Sequence, residues 1–225
     1  MIVIKRGKEP NSLLKFRKEN PDADYESDMP TDVLKDIREQ MWEEQRCLCA
    51  YCMKKIEAPS VVRIEHCKPR HPQDEQEHDK KATLDFKWML GVCYGNSLVR
   101  GVKPEDKTCD AHRGNTELTV NPFDEMSVRK IKYKADGSIY SEDAEINKDV
   151  TETLNLNCQS LSLPQTRKNV LMAEKNRIMR KCKGKSQDAF MRELERTYTS
   201  LVQERNLTPY CGIIISWLES KLKIS

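Results

Sequence analysis

"CAYCMKKIEAPSVVRIEHCKPRHP" spans residues 49–72, and its reading decides the fold. It opens on Cys49-x2-Cys52, the spacing of a zinc knuckle, in which two thiolates from one tight turn share a tetrahedral ion. It continues through the β-branched, proline-bounded run "VVRIEHC" (61–67), which predicts a strand. That strand ends on Glu65–His66, an acid beside one of only four histidines in the chain.

A tetrahedral ion needs two more ligands. Cys93 and Cys109 are the candidates, because both occupy turn-flanked positions after the strand. His112 is an alternative fourth ligand. The segment from 49 to 115 is short, polar and loop-rich, with little apolar material for a core of its own. A bound Zn²⁺ would supply ~10 kcal/mol or more of folding free energy. The remaining cysteines fit this frame less well. Cys47 is out of register with the knuckle, and Cys67 follows the histidine along the strand, so both read as structural. Cys158, Cys182 and Cys211 stand singly in helical sequence and read as small buried hydrophobes. A thiol-redox role for Cys49 and Cys52 would call for a βαβ pattern around the pair, and none surrounds it.

Working outward, "MPTDVLKDIREQMWEEQRC" (29–47) predicts a helix. Thr31 or Asp32 would cap it, and Val33, Leu34, Ile37, Met41 and Trp42 would form its apolar stripe. A polar loop follows the strand at 70–81 and contains His71 and His78, both read as surface residues. "LDFKWMLGVC" (84–93) is an apolar segment leading to Cys93. Residues 128–143 alternate around Asp136–Gly137 and predict a hairpin. Helical sequence then covers 144–157, 163–182, 185–206 and 208–222, and the apolar "GIIISWL" (212–218) should be core. The fold class is α+β: an N-terminal arm and helix (1–46), a cysteine-rich β unit (47–125), and a hairpin with a helical bundle (126–225).

The 225 residues carry a net charge of +3, with 37% hydrophobic and 33% charged side chains. That describes a polar globular chain and excludes a polycation. No apolar run approaches the ~18 residues of a membrane span, so no membrane partner is expected. "MIVIKRGKEP" lacks a signal-peptide core, so the expected location is cytoplasmic. The basic stretch "RIMRKCKGK" (177–185) reads as a solvated helix end.

The Glu65–His66 pair has chemistry of its own. A neutral imidazole can take a proton from water. A neighbouring carboxylate can hold Mg²⁺, a hard ion that prefers oxygen. Together they suit phosphodiester hydrolysis, with His66 activating water for in-line attack.

The larger pattern "CAYC…IEHCKPR…LDFKWMLGVC…TCDAHRGN…VNP" resembles the HNH endonuclease motif. The flanks "NSLLKFRKENPDADYES" and "PYCGIIISWL" resemble HNH proteins found beside ATPases in Septu-type and retron-linked anti-phage defence. This resemblance implies a small ββα-metal core stabilised by zinc at Cys49, Cys52, Cys93 and Cys109. It implies His66 as general base, Glu65 as ligand of a catalytic Mg²⁺ or Mn²⁺, and Pro69 as the strand-ending proline. Asp110 falls at the last His/Asn position of the motif and would be a second catalytic metal ligand. Arg113 matches the basic residue three further on and would meet a phosphate, with His112 and Asn115 as neighbouring substrate contacts.

The resemblance further implies an ABC/AAA-like ATPase partner, docked on the helical region 144–225, and a nucleic-acid substrate. That substrate is DNA for most such enzymes, and RNA or tRNA is also compatible with these residues. The sequence departs from the pattern at Trp88, where an asparagine usually orients the catalytic histidine. Asn96 or a backbone carbonyl would have to serve instead. Trp88 itself reads as packing, as do Tyr51 and Tyr94. The alternative whole-protein reading is a catalytically altered, zinc-dependent nucleic-acid-binding or scaffold module.

Overall fold

A computed structural model describes residues 1–68 and 80–224. Pro69, His71, His78 and most of the expected polar loop lie outside the described residues.

The N-terminal arm leads into α1 (Asn11–Glu19) and the short α2 (Tyr25–Asp28). The sequence expectation contains no helix at α1. Its short apolar stripe buries only Leu13 and Phe16, too little periodicity to stand out. The expected helix over 29–47 forms as α3 (Thr31–Glu44), with Val33, Ile37 and Met41 buried four residues apart on one face. Its cap differs from the expectation. Pro30 stands at the N-cap with no side-chain hydrogen bond, and Thr31 is already helical. Proline's fixed φ sets the chain direction there without a capping oxygen.

The expected strand is β1 (Arg63–His66). The single turn α4 (Lys80–Thr83) and a 3-10 turn at Phe86–Trp88 then lead to β2 (Met89–Val92). The two strands pair antiparallel, with Glu65 opposite Leu90 and His66 opposite Met89. All four residues of β2 are buried, so this strand reads as a continuous apolar run. The helical turn α5 (Asp110–Arg113) follows directly after Cys109.

Past α6 (Glu125–Arg129), the hairpin forms as β3 (Ile131–Tyr133) and β4 (Ile139–Ser141). Its turn is closed by Lys134 N–H donating to Ser138 O and Gly137 N–H donating to Lys134 O. The expected helix at 144–157 is broken. It forms α7 (Ala144–Lys148) and then a π-type turn over Asp149–Thr153. The buried Asp149 carboxylate there accepts the Val120 N–H at 2.8 Å, tying the turn to the segment after α5. The last three helices match expectation closely: α8 (Leu163–Cys182), α9 (Gln187–Gln203) and α10 (Gly212–Leu222).

Two apolar clusters hold these elements. One joins α1, α3, the cysteine unit, the β3–β4 hairpin and the π-type turn. The other lies among α8, α9 and α10 and includes Ile213, Ile214 and Leu218, so the "GIIISWL" run is core. Leu48 and Met53, which flank the knuckle, belong to the second cluster, and Tyr133 packs against both. No helix among the described residues is long and apolar enough to cross a membrane.

Candidate functional site

The site starts from the knuckle. Leu48 bridges Lys55 across the turn, Cys49 N–H donates to Lys54 O, and Met53 N–H donates to Cys49 O at a positive φ of 64°. Lys54 N–H donates to the Cys52 sulfur at 3.4 Å. The buried Gln45 amide fastens this turn to β2. Its Nε2 donates to Leu48 O and Gly91 O, and its Oε1 accepts the Gly91 N–H. Sequence reasoning did not single out Gln45, since nothing in its local pattern marks a buried glutamine with its amide fully used.

Cys93 follows β2, and Cys109 precedes α5. Gly95 sets the separation of their loops. With φ at +53°, a Cβ on it would lie 1.9 Å from Thr108 O. The backbone is this close because Thr108 N–H donates to Gly95 O at 3.0 Å. Cys109 N–H is in turn held by Leu154 O at 2.9 Å.

The result is a four-sulfur cluster. The Cys49–Cys109, Cys52–Cys93 and Cys93–Cys109 sulfurs are 3.9, 3.7 and 3.8 Å apart. All four ligand atoms lie within 4.8 Å of one another. Zinc bonded to four sulfurs at about 2.3 Å sets tetrahedral edges of ~3.8 Å. The spacing fits that ion and is far too long for a disulfide. Cys49, Cys52, Cys93 and Cys109 can therefore hold a metal such as zinc.

The other cysteines and His112 stand apart from this cluster. Cys47 meets Asn206. Cys67 is half-buried, its thiol pushed up to about 11 by burial. Cys158 and Cys211 are buried as expected, whereas Cys182 is only half-buried. His112 Nδ1 pairs with Thr153 O at 3.0 Å, fastening α5 to the π-type turn and not to the sulfurs.

Beside the cluster lies a polar cleft of about 300 Å³ lined by Arg63, Glu65, His66, Ser97, Lys107, Asp110, Ala111, Gly114 and Asn115. Two elements aim its acids. β1 carries Glu65 and His66, and α5 begins on Asp110 because Cys109 is fixed just before it. The two carboxyl groups line the same cleft. Burial pushes the Glu65 carboxyl up to about 8. Asp110 adds to that rise, and Arg113 pulls the other way.

His66 is 4% exposed. Its Nε2 lies 2.8 Å from Thr83 O, and Tyr25 meets the ring edge-on at 4.6 Å. A carbonyl can only accept, so Nε2 carries a proton. The orienting group is thus a backbone carbonyl. Asn96 is spent elsewhere, donating to Asp106 O at 3.1 Å. Trp88 is half-buried, with Lys87 over its ring, and only its carbonyl serves β1, by accepting from Cys67 N–H.

Arg113 departs from its expected role. Its side chain is 1% exposed and ion-paired with Glu65. Nη1 also donates to Tyr51 OH and His66 O, Nη2 donates to Cys67 O, and Nε donates to Thr116 O. Tyr51 OH in turn donates to Glu65 at 3.2 Å. A guanidinium so engaged and so buried clamps α5 to the end of β1 and does not face the cleft where a phosphate would bind. Asp110 forms its own ion pair, with Arg63. Asn115 is exposed and lines the cleft, whereas His112 does not.

No family model matches this chain, and no curated protein matches it.

Proposed function

We propose that the protein is a metal-dependent nuclease of the HNH type that hydrolyses phosphodiester bonds in nucleic acid. The observation that carries this reading is the convergence of His66, Glu65 and Asp110 on one polar cleft beside the four-sulfur cluster. The order β1, β2, α5 around that cluster agrees with the ββα-metal core that the resemblance implies.

The chemistry follows from the side chains. Thr83 O holds the Nε2–H, and His66 in its neutral form would take the proton of the attacking water at Nδ1. Glu65 and Asp110 offer adjacent hard oxygens, a donor set suited to Mg²⁺ or Mn²⁺. Such an ion would stabilise charge on the phosphate and on the leaving oxygen. Arg113 and Tyr51 hold Glu65 in place, so their part is positioning.

The resemblance extends the proposal to a role in anti-phage defence in the cytoplasm. There an ABC/AAA-like ATPase would keep the nuclease silent until infection, docked on the helical region 144–225. The substrate is DNA or RNA.

One observation favours the second reading, a non-catalytic zinc module. Arg113 and Arg63 already satisfy both carboxylates of the cleft. The experiment that separates the two is cleavage of DNA and RNA in Mg²⁺ or Mn²⁺, with and without an ATPase encoded by a neighbouring gene. His66→Ala serves as the control. A nuclease loses about 10²–10⁴-fold in rate when the general base is removed. Equal cleavage by the variant would assign the activity to a contaminant and leave the scaffold reading.

A further inference from the structure

We infer that Lys107, assisted by Arg63, forms the phosphate-binding side of the cleft and takes the role that Arg113 cannot fill. This rests on the nuclease reading above and deepens it, by naming the groups that grip the non-bridging oxygens of the phosphodiester.

Lys107 lines the same cleft as His66, Glu65 and Asp110. It is half-buried. Arg63, Lys87, Lys130 and Lys132 each pair with a carboxylate, but Lys107 has no such partner among the described residues. A cation left unpaired in a partly desolvated cleft is stabilised by an anionic ligand, and the attraction is stronger there than in bulk water.

The backbone that carries Lys107 is held on both sides. Its N–H donates to Pro104 O at 3.0 Å, and its carbonyl accepts Asn155 Nδ2 at 2.9 Å. The next residue, Thr108, is pinned to Gly95. The ammonium is therefore presented from a rigid loop two residues before Cys109 and three before Asp110.

Arg63 comes from β1 on the other element of the site. Its Nε is engaged with Asp110, and its side chain is 41% exposed. Its two Nη groups have no partner among the described residues. Ser97 and Asn115 add neutral donors to the same lining. A phosphate bridging Lys107 and the Arg63 fork would lie across the acid pair and within the cleft that His66 lines. The requirement is only a backbone phosphate, so the recognition is of charge and geometry and carries no base sequence.

The test measures binding of a fluorescent DNA duplex, and of an RNA strand of the same sequence, to the full-length zinc-loaded protein in the His66→Ala background. Lys107→Gln should weaken binding about tenfold and lower the slope of log affinity against log salt by about one, the signature of one lost phosphate contact. Lys107→Arg should restore both. Lys103→Ala, an exposed lysine outside the cleft lining, should change neither. In the catalytically intact protein Lys107→Gln should raise KM. Zinc content and melting temperature report whether each variant is folded.

If the wild type cleaves while Lys107→Gln keeps its affinity, salt slope and KM, the Lys107 assignment falls and the nuclease reading stands. If the wild type neither binds nor cleaves either strand, both fall. If Lys107→Gln loses zinc or melts early, Lys107→Arg decides. Restored folding without restored affinity overturns the assignment, and restoration of both supports it.

Discussion

At the scale of single residues, Arg113 separates position in a motif from role in a structure. Its place three residues after Asp110 marks it as a phosphate ligand, but burial turns it into a clamp. Its donors reach Glu65, Tyr51, Thr116 and the backbone of His66 and Cys67. Breaking a buried ion pair from one side leaves the other charge uncompensated, which costs about 3–5 kcal/mol. Arg113→Met should therefore destabilise the protein by that order in urea unfolding. A residue whose work was to meet substrate would leave stability nearly unchanged, and that result would reverse the assignment. His66 carries the complementary lesson. Its orienting partner is the Thr83 carbonyl, and any residue type at position 83 could supply that group.

At the scale of elements, the loop from Cys93 to Cys109 matters as much as the strands it joins. Gly95 and Gly101 both have positive φ, at +53° and +74°, yet they differ in surroundings. A Cβ at Gly95 would collide with Thr108 O, whereas at Gly101 it meets nothing within 4 Å. Both alanine variants suffer the strained backbone, about 1–3 kcal/mol. Only Gly95→Ala also displaces Thr108, the neighbour of Cys109. Zinc affinity, measured by competition with a chromophoric chelator, should fall for Gly95→Ala and hold for Gly101→Ala. Equal affinities would mean that the loop adapts without moving its sulfur.

At the scale of the whole molecule, the four-cysteine cluster joins two cores. Cys49, Ala50, Tyr51 and Cys52 pack into the first, and Leu48 and Met53 on either side pack into the second with α8, α9 and α10. Two further bonds cross the same junction, Arg46 to Val202 O and Tyr210 N–H to Met53 O. Removal of zinc should lower the melting temperature of the entire chain. It should also reduce hydrogen-exchange protection in α10, which holds no ligand. Protection of α10 that survives chelation would show the helical bundle to be an independent folding unit.

The sequence by itself determined the elements whose information is local. The bounds of α8, the hairpin around Asp136–Gly137 and the strand ending on Glu65–His66 follow from side-chain periodicity and turn chemistry within a few residues. The four clustered thiols were also legible, because cysteine at knuckle spacing is a rare chemical signal. Only the tertiary structure decided what those parts touch. It buried Arg113 against Glu65, gave the orientation of His66 to a backbone carbonyl, and set Lys107 into the cleft. It also made Gln45 the fastener between the knuckle and β2. Each of these depends on contacts between residues far apart in the chain, where burial and hydrogen-bond satisfaction override what a residue's type and spacing suggest.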